Sequence, residues 1–301
     1  MKILVIGKNG QLGKSIKRVL AESEQHNEYI FAGREDLDLS KKNSINYYFK
    51  NNSFDLIINC AAYTKVDKAE EEFLSANQIN NLAVAQLSAI AKKQNSKLIH
   101  ISTDYVFDGK NNKKYIENDQ VNPINVYGKT KLAGEQAIIK EMLTNAIIIR
   151  TSWLYSEFGN NFVITMLRLG QERSEINVIN DQIGTPTYAI DLANVILNIV
   201  NSNHFFSKNH STKIYHYSNK GYCSWFDFAK EIFKLANIND KVQVNSISTE
   251  EYLIVAERPK NSVINNKKIE NDFNIDAFNW KDSLKKCLLA YELANSIKGN
   301  E

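Results

Sequence analysis

The sequence has few cysteines and no long apolar run, and each shortage excludes a class of protein. The three cysteines, Cys60, Cys223 and Cys287, lie far apart without a Cys-x-x-Cys spacing. Neither a disulfide framework nor a zinc site is therefore expected, and reduced thiols suit a cytoplasmic protein. No window approaches the roughly eighteen apolar residues of a membrane helix, and the apolar start, residues 2–7, is too short for a signal peptide. We expect a soluble, cytoplasmic protein without a membrane partner.

An excess of charge of one sign is also missing. The 37 basic and 34 acidic residues leave a formal net charge of +3 and are spread along the chain. No basic run of the kind that binds nucleic acid is present, so no nucleic-acid partner is expected. With 43% hydrophobic and 24% charged residues, the composition is that of a folded globular protein. A chain of 301 residues is long enough for one large domain or two.

Short apolar runs rich in β-branched residues alternate with helix-period segments in the first half of the chain. Five of these runs predict buried strands, at residues 2–7, 29–33, 54–60, 97–102 and 146–152. Because the segments between them suit helices, as residues 83–94 do, we expect right-handed crossovers and a parallel sheet covered on both faces. This is the doubly wound, Rossmann-type α/β fold, whose ligands bind beyond the carboxyl ends of the strands.

The pattern changes after about residue 150, which divides the chain into two predicted domains. Residues 1–150 are expected to form the Rossmann-type domain, and residues 151–301 mainly a smaller mixed α/β domain, with the chain crossing between the two. The second part contains one predicted strand and two predicted amphipathic helices, at residues 175–180, 188–200 and 224–236. Trp225 falls at the core spacing of the last helix and is interpreted as a core residue.

A glycine-rich segment, residues 7–13, directly follows the first strand and opens a helix. Gly7 permits a tight turn, Gly10 lets the backbone approach a pyrophosphate, and Gly13 lets the helix and the strand pack closely. The start of the helix offers free N–H groups and the positive end of its dipole to phosphates. The segment predicts an NAD(P) site in the first domain, which leaves substrate binding mainly to the second.

The residue after the second strand indicates which dinucleotide binds. An acid normally stands there when the ribose carries a free 2′-hydroxyl group, but this chain has Arg34 near that position. A guanidinium group can bind a 2′-phosphate with two hydrogen bonds. We therefore predict NADPH as the cofactor, with NADH as the alternative because Glu35 or Asp36 could still reach a ribose.

Tyr127 and Lys131 are four residues apart and share one face of a helix that is predicted to begin near Asn125. The lysine ammonium and the positive nicotinamide of an oxidised cofactor are expected to lower the pKa of the phenol, which is about 10 when free. Tyr127 then gives its proton to an oxygen that gains charge as hydride arrives, while Lys131 holds the nicotinamide ribose. Thr103, at the tip of the fourth strand, hydrogen-bonds the same oxygen. Together the three side chains predict a site that reduces a carbonyl group.

Eight segments together resemble the dTDP-4-dehydrorhamnose reductases, a branch of the extended short-chain dehydrogenase/reductase superfamily. They are GKNGQLG (7–13), NCAAYTKVDKAE (59–70), STDYVFDG (102–109), VYGKTKLAGE (126–135), RTSWLY (150–155), GNNF (159–162), VINDQIGTPT (178–187) and RPKNSV (258–263). The glycine loop and the Tyr-x-x-x-Lys spacing mark only the superfamily, whereas STDYVF, NDQxGxPT and RPxNS point to this branch. The resemblance implies NAD(P)H-dependent reduction of the C4 ketone of dTDP-4-dehydro-β-L-rhamnose, the last step of dTDP-L-rhamnose synthesis for lipopolysaccharide or cell-wall polysaccharide.

The resemblance also implies roles for residues at matching positions. Contacts to the cofactor are implied for Gly10, Gln11, Leu12, Asp38, Leu39, Ala62, Tyr63 and Thr64. A catalytic triad is implied for Thr103, Tyr127 and Lys131, and contacts to the dTDP-sugar for Asp104 and Trp153. The pyrophosphate or deoxyribose of the substrate could be held by Asn161, Arg258 and Asn261, with salt-bridge or turn roles as the alternative for each.

Related sugar-nucleotide dehydratases resemble Thr-Asp-Glu at the tip of the fourth strand, where this chain has Tyr105 after Asp104. Without the second acid a 4,6-dehydratase cannot readily protonate the leaving hydroxyl group, so reduction remains. Some family members use magnesium at a dimer interface; no matching carboxylate cluster is recognisable, so no metal is predicted, and a homodimer is left open. Two alternatives remain: a reductase or epimerase of another nucleotide-linked 4-keto sugar, and a regulatory subunit such as the β-subunit of methionine adenosyltransferase, which the family also resembles.

Overall fold

The first half of the chain forms most of a parallel sheet in the computed structural model, which describes residues 1–22, 24, 26–206, 211–252 and 255–298. Its elements are β1 (Lys2–Ile6), α1 (Gln11–Ala21), β2 (Glu28–Ala32), α2 (Lys42–Lys50), β3 (Leu56–Asn59), α3 (Val66–Glu71), α4 (Phe73–Asn77), a π-helical turn (Gln78–Leu82), α5 (Ala83–Gln94), β4 (Lys97–Thr103), a 3₁₀ turn (Asp104–Val106), α6 (Val126–Glu141) and β5 (Ala146–Thr151). Each of the five predicted strands is present, and the predicted helix at residues 83–94 is α5.

The strands of this sheet run in the order β2-β1-β3-β4-β5, and every neighbouring pair is parallel. The chain moves from β1 to β2 on one side and then returns to place β3 on the other side of β1. This reversal opens a crevice at the carboxyl ends of β1 and β3, where doubly wound sheets bind their ligands. Thr103 at the end of β4 pairs with Thr151 at the end of β5, so both strands end at the same rim.

Both faces of the sheet are covered, which explains the continuous apolar runs in the sequence. Every residue of β3 and of β5 is buried. Alternate side chains of the strands enter one core with α1 and another with α2, α5 and α6. Burial on both faces is the property that makes such strands lack polar alternation, so the fold prediction of a doubly wound α/β sheet is confirmed.

The second half of the chain contributes to the same sheet and also builds a smaller unit. Its elements are β6 (Leu154–Tyr155), α7 (Phe162–Glu172), β7 (Glu175–Ile179), β8 (Ile183–Gly184), β9 (Thr187–Tyr188), α8 (Ala189–Asn201), α9 (Asn203–Phe206), β10 (Lys213–His216), β11 (Cys223–Ser224), α10 (Trp225–Leu235), β12 (Gln243–Ile247), α11 (Lys267–Phe273) and α12 (Trp280–Lys298). The predicted strand and the two predicted helices of this half correspond to β7, α8 and α10.

The chain crosses between the two parts. β10 pairs in parallel with β5 and becomes the sixth strand of the central sheet, while α8 packs against the sheet core beside α1. The smaller unit has its own apolar core, built by α7, α10, α12 and the parallel pair of β7 and β12. A boundary at residue 150 therefore does not separate the sheet from the rest. Among the described residues, no helix combines the length and the apolar character that a membrane crossing requires.

Candidate active site

One large cavity runs along the carboxyl ends of the central strands. Its volume is about 1250 Å³, above the roughly 300–1,000 Å³ usual for ligand pockets, so it has room for a dinucleotide and a second ligand. Most of the predicted site residues line it: Gly7, Gly10, Gln11, Leu12, Arg34, Asp38, Leu39, Ala62, Tyr63, Thr64, Thr103, Asp104, Tyr127, Lys131, Trp153 and Asn161. Three predicted residues, all in the described part of the chain, lie outside this lining: Gly13, Arg258 and Asn261.

The glycine loop between β1 and α1 forms one wall of the cavity. Gly7 has a φ of +94°, and a Cβ atom there would lie 3.0 Å from the backbone nitrogen of Ala61. A Cβ atom at Gly13 would overlap the Gly7 carbonyl group, so Gly13 serves the packing of α1 against the loop. Among the described residues, no side chain caps α1 at Gly10, which leaves its first N–H groups available to phosphate oxygens. The loop therefore fits a pyrophosphate.

Gln11 ties the glycine loop to the second half of the chain. Its Oε1 atom accepts hydrogen bonds from Ser156 Oγ and Asn161 Nδ2, both at 2.9 Å. Asn161 also caps α7, because its Oδ1 atom accepts a hydrogen bond from the N–H group of Ile164 at 3.2 Å. These contacts fix the wall at which the two parts of the cavity meet.

Charged side chains cluster at the end of the cavity near β2. Arg34 has a side chain that is 74% exposed, and its Nε atom lies 3.5 Å from Asp38 Oδ1. Sequence reasoning missed Lys8, whose Nζ atom lies 2.7 Å from Asp36 and 2.8 Å from Glu35. Hydrogen bonds to those two carboxylates raise the pKa of Lys8 to about 12. At this end of the cavity Lys8 thus engages both acids, while Arg34 is largely exposed beside Asp38.

The loop after β3 is held by a side chain that sequence reasoning also missed. Asn80, in the π-helical turn, accepts a hydrogen bond from the N–H group of Tyr63 at 2.9 Å and donates one to its carbonyl oxygen at 3.1 Å. The amide thus satisfies both backbone groups of Tyr63 and positions the cavity wall formed with Ala62 and Thr64. In the sequence, Asn80 and its neighbours follow an ordinary helical pattern that gives no sign of this role. In the structure the residue lies in a π-helical turn, a feature frequent at functional sites.

Helix α6 begins where the sequence predicted and brings Tyr127 to Thr103. Asn125 caps the helix, since its Oδ1 atom accepts a hydrogen bond from the N–H group of Gly128 at 2.8 Å. A Cβ atom at Gly128 would overlap the carbonyl group of Tyr105, so glycine allows α6 to rest directly on the 3₁₀ turn. In this arrangement the Tyr127 phenol and the Thr103 hydroxyl group line the same cavity.

The pKa of Tyr127 moves in the direction opposite to the sequence prediction. Burial raises the pKa to about 12, the neighbouring Thr103 hydroxyl group lowers it, and the charge of Asp104 raises it further. The predicted lowering concerned the phenol beside both a lysine and an oxidised nicotinamide; in this structure the Lys131 ammonium is directed elsewhere, and its Nζ atom donates to the Ile101 carbonyl oxygen at 2.6 Å. Tyr127 consequently holds its proton throughout the physiological pH range.

Lys131 is buried against a histidine that sequence reasoning did not single out. Its Nζ atom lies 3.4 Å from His100 Nε2, and His100 Nδ1 lies 3.1 Å from the amide of Asn59. Burial lowers the pKa of Lys131 to about 8, an effect that the Glu135 carboxylate opposes. His100 is fully buried and supports Lys131 from the sheet, although in the sequence it is simply one position of an apolar strand.

One turn further along α6, Glu135 forms a buried ion pair with Arg150 of β5. The Nη2 atom of Arg150 lies 2.7 Å from Oε2 and its Nε atom 3.0 Å from Oε1, and the two side chains are 3% and 1% exposed. Ser102 Oγ donates a further hydrogen bond to Oε1. This polar layer joins α6 to β4 and β5 beneath the cavity.

Asp104 lies in the cavity wall directly after Thr103. Its Oδ1 atom accepts a hydrogen bond from the Thr103 hydroxyl group at 2.9 Å, whereas Oδ2 is buried and has no hydrogen-bond partner among the described residues. Burial raises the pKa of this carboxyl group to about 7, against the opposing effects of the Ser262 and Thr103 hydroxyl groups. The carboxyl group is therefore half protonated near neutral pH.

Two stacked tryptophans form the far wall of the cavity. The Trp153 and Trp225 rings lie 3.4 Å apart at an interplanar angle of 7°, and both line the cavity. Trp153 has a φ of +44°, a left-handed conformation that is strained for a bulky residue, and a Cβ atom at Gly184 would overlap its ring. Trp225 packs against the core of the smaller unit, as predicted, and it also lines the cavity, which the sequence did not indicate.

Arg258 and Asn261 have structural contacts outside the cavity. Arg258 places Nη2 2.7 Å from Asp67 Oδ2, and its Nη1 atom donates to the Ala256 carbonyl oxygen at 3.4 Å. Asn261 donates to the carbonyl groups of Asn111 and Lys113. In this structure the salt-bridge and turn alternatives describe both residues: Arg258 binds the segment around residue 260 to α3, and Asn261 binds it to the loop after β4. Among the described residues, no three His, Cys, Asp or Glu side chains are grouped closely enough to hold a metal ion.

The fold and the site define a class of protein. A Rossmann-type sheet carries a glycine loop at its switch point, and a Tyr127–Lys131 pair on a helix faces Thr103 at the tip of β4. A second unit completes the cavity, as in an extended short-chain dehydrogenase/reductase. The class is thus that of dinucleotide-dependent oxidoreductases of this superfamily.

Comparison with known proteins narrows the class to a family. The family model described as the RmlD substrate binding domain matches residues 1–293. The dTDP-4-dehydrorhamnose reductase of Aggregatibacter actinomycetemcomitans is 38% identical over 94% of this chain and 97% of its own. A solved dTDP-4-dehydrorhamnose reductase from Clostridium acetobutylicum superposes with a TM-score of 0.89 at 40% identity, over 97% of this chain and 100% of the other. One from Bacillus anthracis, solved in complex with NADP, has a TM-score of 0.87 at 39% identity, over 96% and 99%. The chain belongs to the dTDP-4-dehydrorhamnose reductase family.

Proposed function

We propose that this chain reduces the C4 ketone of dTDP-4-dehydro-β-L-rhamnose to dTDP-β-L-rhamnose with NADPH, the last step of dTDP-L-rhamnose synthesis. The observation that carries the proposal is the convergence of Thr103, Tyr127 and Lys131 on one cavity that begins at a dinucleotide loop. Membership of the family supports the choice of substrate.

The glycine loop fits the cofactor for a reason visible in the structure. Side chains larger than hydrogen at Gly7 and Gly13 would meet the backbone, so the loop lies flat and exposes the N–H groups of α1 to a pyrophosphate. Arg34 is exposed at the end where the adenosine 2′-phosphate of NADPH would lie. A cofactor bound along this cavity would supply the hydride from its reduced nicotinamide.

Tyr127 serves as the proton donor to the carbonyl oxygen. Its pKa of about 12 keeps the phenol protonated, as a general acid must be before it acts. The Thr103 hydroxyl group lies beside the phenol and orients the same oxygen, which becomes more negative as the carbon is reduced. Lys131, fixed by the Ile101 carbonyl group, positions the nicotinamide ribose.

The wall opposite the glycine loop suits a nucleotide-linked sugar. Asp104 and Trp153 line it together with Trp225, and the flat faces of aromatic rings pack well against the apolar face of a sugar. Tyr105 stands where the dehydratase pattern requires a second acid. Without that acid, the site has no side chain to protonate the hydroxyl group that leaves in a dehydratase reaction. This favours reduction over elimination of water. The free thiols of Cys60, Cys223 and Cys287 support a cytoplasmic location.

Replacement of Tyr127 by phenylalanine tests the proposal. Wild-type protein should oxidise NADPH only when the 4-keto rhamnose nucleotide is supplied, as followed by the nicotinamide absorbance. The Tyr127→Phe variant should lose about 10²- to 10⁴-fold in kcat, the usual contribution of a general acid. Its dissociation constant for NADPH, measured by fluorescence, should stay close to that of the wild type.

Tyr222→Phe is the matched control, because Tyr222 is 64% exposed and outside the cavity; its kcat should not change. A Tyr127→Phe variant with wild-type turnover would remove Tyr127 from the role of proton donor. Wild-type protein that binds NADPH but reduces no keto sugar would favour the regulatory alternative. Faster turnover of another nucleotide-linked 4-keto sugar would replace the proposed substrate.

A further inference from the structure

Lys131 belongs to a buried hydrogen-bond network in which one backbone group fixes every donor and acceptor. The N–H group of Ala61 donates to Asn59 Oδ1 at 3.1 Å. The other atom of that amide, the donor Nδ2, therefore faces His100 Nδ1 at 3.1 Å. The reverse orientation of the amide would set its NH₂ group against the Ala61 N–H group. Because Asn59 and His100 are both buried, neither contact can be exchanged for one with bulk water.

The amide of Asn59 in turn fixes the tautomer of His100. Since Nδ1 accepts the hydrogen bond from Asn59, it carries no proton, and the proton of a neutral imidazole is then on Nε2. Burial lowers the pKa of His100 well below its usual value, so the ring is neutral. The Nε2 atom lies 3.4 Å from Lys131 Nζ. A histidine N–H donor therefore points at the lysine.

One protonation state of Lys131 satisfies both of these neighbours. Its Nζ atom donates to the Ile101 carbonyl oxygen at 2.6 Å. An ammonium group has three N–H donors and no lone pair, so it makes this bond but opposes the N–H group of His100. A neutral amine has a lone pair for His100 and an N–H group for Ile101. The lowering of the pKa of Lys131 to about 8 by burial acts in the same direction.

Two other titratable groups act on Lys131, and neither removes this preference. Glu135, one turn further along α6, favours the ammonium form, but its carboxylate is paired with Arg150 at 2.7 Å. The Cys60 thiol at the end of β3 has its pKa raised to about 12 by burial. It is therefore neutral at physiological pH and offers the lysine no compensating charge.

The remaining acids near the start of α6 are bound elsewhere. Asp104, on the 3₁₀ turn, accepts a hydrogen bond from Thr103 at 2.9 Å. Glu70, on α3, accepts one from the N–H group of Val126 at 2.8 Å. The Tyr127 phenol, with its raised pKa of about 12, is neutral. His100 is thus the neighbour whose hydrogen bond depends on the charge of the lysine.

We propose that His100, with its tautomer fixed by Asn59, is a positioning residue for Lys131 and donates to it the hydrogen bond that only the neutral amine accepts. The inference rests on the proposed reduction. The ammonium form places a positive charge one turn from the phenol that becomes a phenolate during proton transfer, which favours the reaction. The amine form keeps the lysine in place but lacks that charge. His100 therefore helps to set the pH above which turnover declines.

Nitrogen-15 NMR of protein labelled at histidine tests the tautomer without substrate. His100 should have a protonated Nε2 and an unprotonated Nδ1 at neutral pH, and its signals are identified by their loss in His100→Gln. His216 is the internal control, since its Nδ1 lies 3.2 Å from the Tyr115 carbonyl oxygen. A carbonyl oxygen only accepts, so His216 should carry its proton on Nδ1. A proton on Nδ1 of His100 would overturn the proposal.

The variant Asn59→Asp should reverse the tautomer of His100. Aspartate keeps the oxygen that accepts from Ala61 but replaces the donor Nδ2 by an acceptor. The imidazole proton should then move to Nδ1, and Nε2 should accept a hydrogen bond from the Lys131 ammonium. An unchanged tautomer in this variant would overturn the assignment of Asn59 as the residue that fixes it.

The pH dependence of turnover tests the effect on Lys131. Wild-type kcat should decline as the pH rises through about 8, because the lysine loses its charge. In His100→Leu the amine loses its donor, so the midpoint of the decline should move upward by up to about one unit, the equivalent of one net hydrogen bond. His100→Gln has an amide that can accept from Asn59 and donate to Lys131, so it should restore the wild-type midpoint. His26→Leu, at an exposed position, is the matched control and should not move it.

The outcomes separate this inference from a structural role and from the proposed function. A lower kcat at every pH in His100→Leu, with an unmoved midpoint, would leave His100 a structural role only and overturn the proposal. If the protein reduces no keto sugar, the proposed function fails, and the NMR tautomers still decide whether His100 donates to Lys131. If the protein is an active reductase and His100 carries its proton on Nδ1, the inference fails and the proposed function stands.

Discussion

Two buried carboxylates, Glu135 and Asp104, lie on opposite sides of the contact between β4 and α6 and differ in their partners. They are 1% and 2% exposed. Glu135 receives two nitrogen donors of Arg150 and the Ser102 hydroxyl group, whereas Asp104 has an oxygen without a partner among the described residues. Equal burial thus has two outcomes. Glu135, whose oxygens all accept hydrogen bonds, joins α6 to β4 and β5. Asp104, with one oxygen left without a partner among the described residues, is an acid that can take up and release a proton.

The largest effect is expected on the free energy of unfolding when Glu135 loses its paired cation, Arg150. Arg150→Met should lower the free energy of unfolding by about 3–5 kcal/mol, because it leaves the Glu135 charge buried and unpaired. Denaturant unfolding followed by circular dichroism would measure this loss. The double variant Glu135→Leu/Arg150→Met should recover most of the stability, since it removes both charges. A single variant as stable as wild type would show that Glu135 is not held as an ion.

Asp104, which has an oxygen without a hydrogen-bond partner among the described residues, should make the stability of the protein depend on pH. Because the pKa of Asp104 is raised in the folded protein from its ordinary 3.8 to about 7, its contribution to stability is full at acidic pH and is lost as the pH rises to about 7. The Asp104→Asn variant has no carboxyl group to ionise and lacks this loss of stability. Its free energy of unfolding, relative to that of the wild type, should therefore increase between pH 3.8 and about pH 7 and then stay constant. The gain is at most about 4 kcal/mol, from 1.36 kcal/mol per pKa unit.

Unfolding curves of both proteins across this pH range would test the prediction. Asp282→Asn, with its exposed side chain, should follow the wild type throughout. A stability difference between Asp104→Asn and wild type that does not change with pH would mean that Asp104 keeps an ordinary pKa in the folded protein.

The smallest effect concerns the hydroxyl group behind Asp104. The Ser262 side chain lowers the pKa of Asp104, so Ser262→Ala should raise that pKa slightly. The pH range over which the wild type loses stability should then shift upward by less than about one unit, because Ser262 Oγ has no hydrogen-bond partner among the described residues and acts on Asp104 only as a nearby dipole. Ser296→Ala, in the exposed last turns of α12, should leave the titration unchanged. A downward shift in Ser262→Ala would contradict the geometry at Oδ2.

The features that depend on local sequence were predictable. The strands, the glycine loop and the shared face of Tyr127 and Lys131 follow from spacing along one segment, and the structure has each of them in place. The orientation of Lys131 and the raised pKa of Tyr127 depend on burial beneath other elements, which spacing does not express. Asn80 holds the cavity wall at Tyr63 from a π-helical turn, and Trp225 reaches the cavity from the start of a distant helix. Such placements arise only when the chain packs.

The sixth strand of the sheet has a consequence for synthesis. β10 (Lys213–His216) covers the edge of β5, whose residues are all buried in the finished protein. A nascent chain leaving the ribosome exposes that apolar edge until residue 216 has been added, for about 3–13 s at 5–20 residues per second. Unpaired edges of this kind invite aggregation, so we expect the new polypeptide to be most prone to aggregation during this interval of its synthesis.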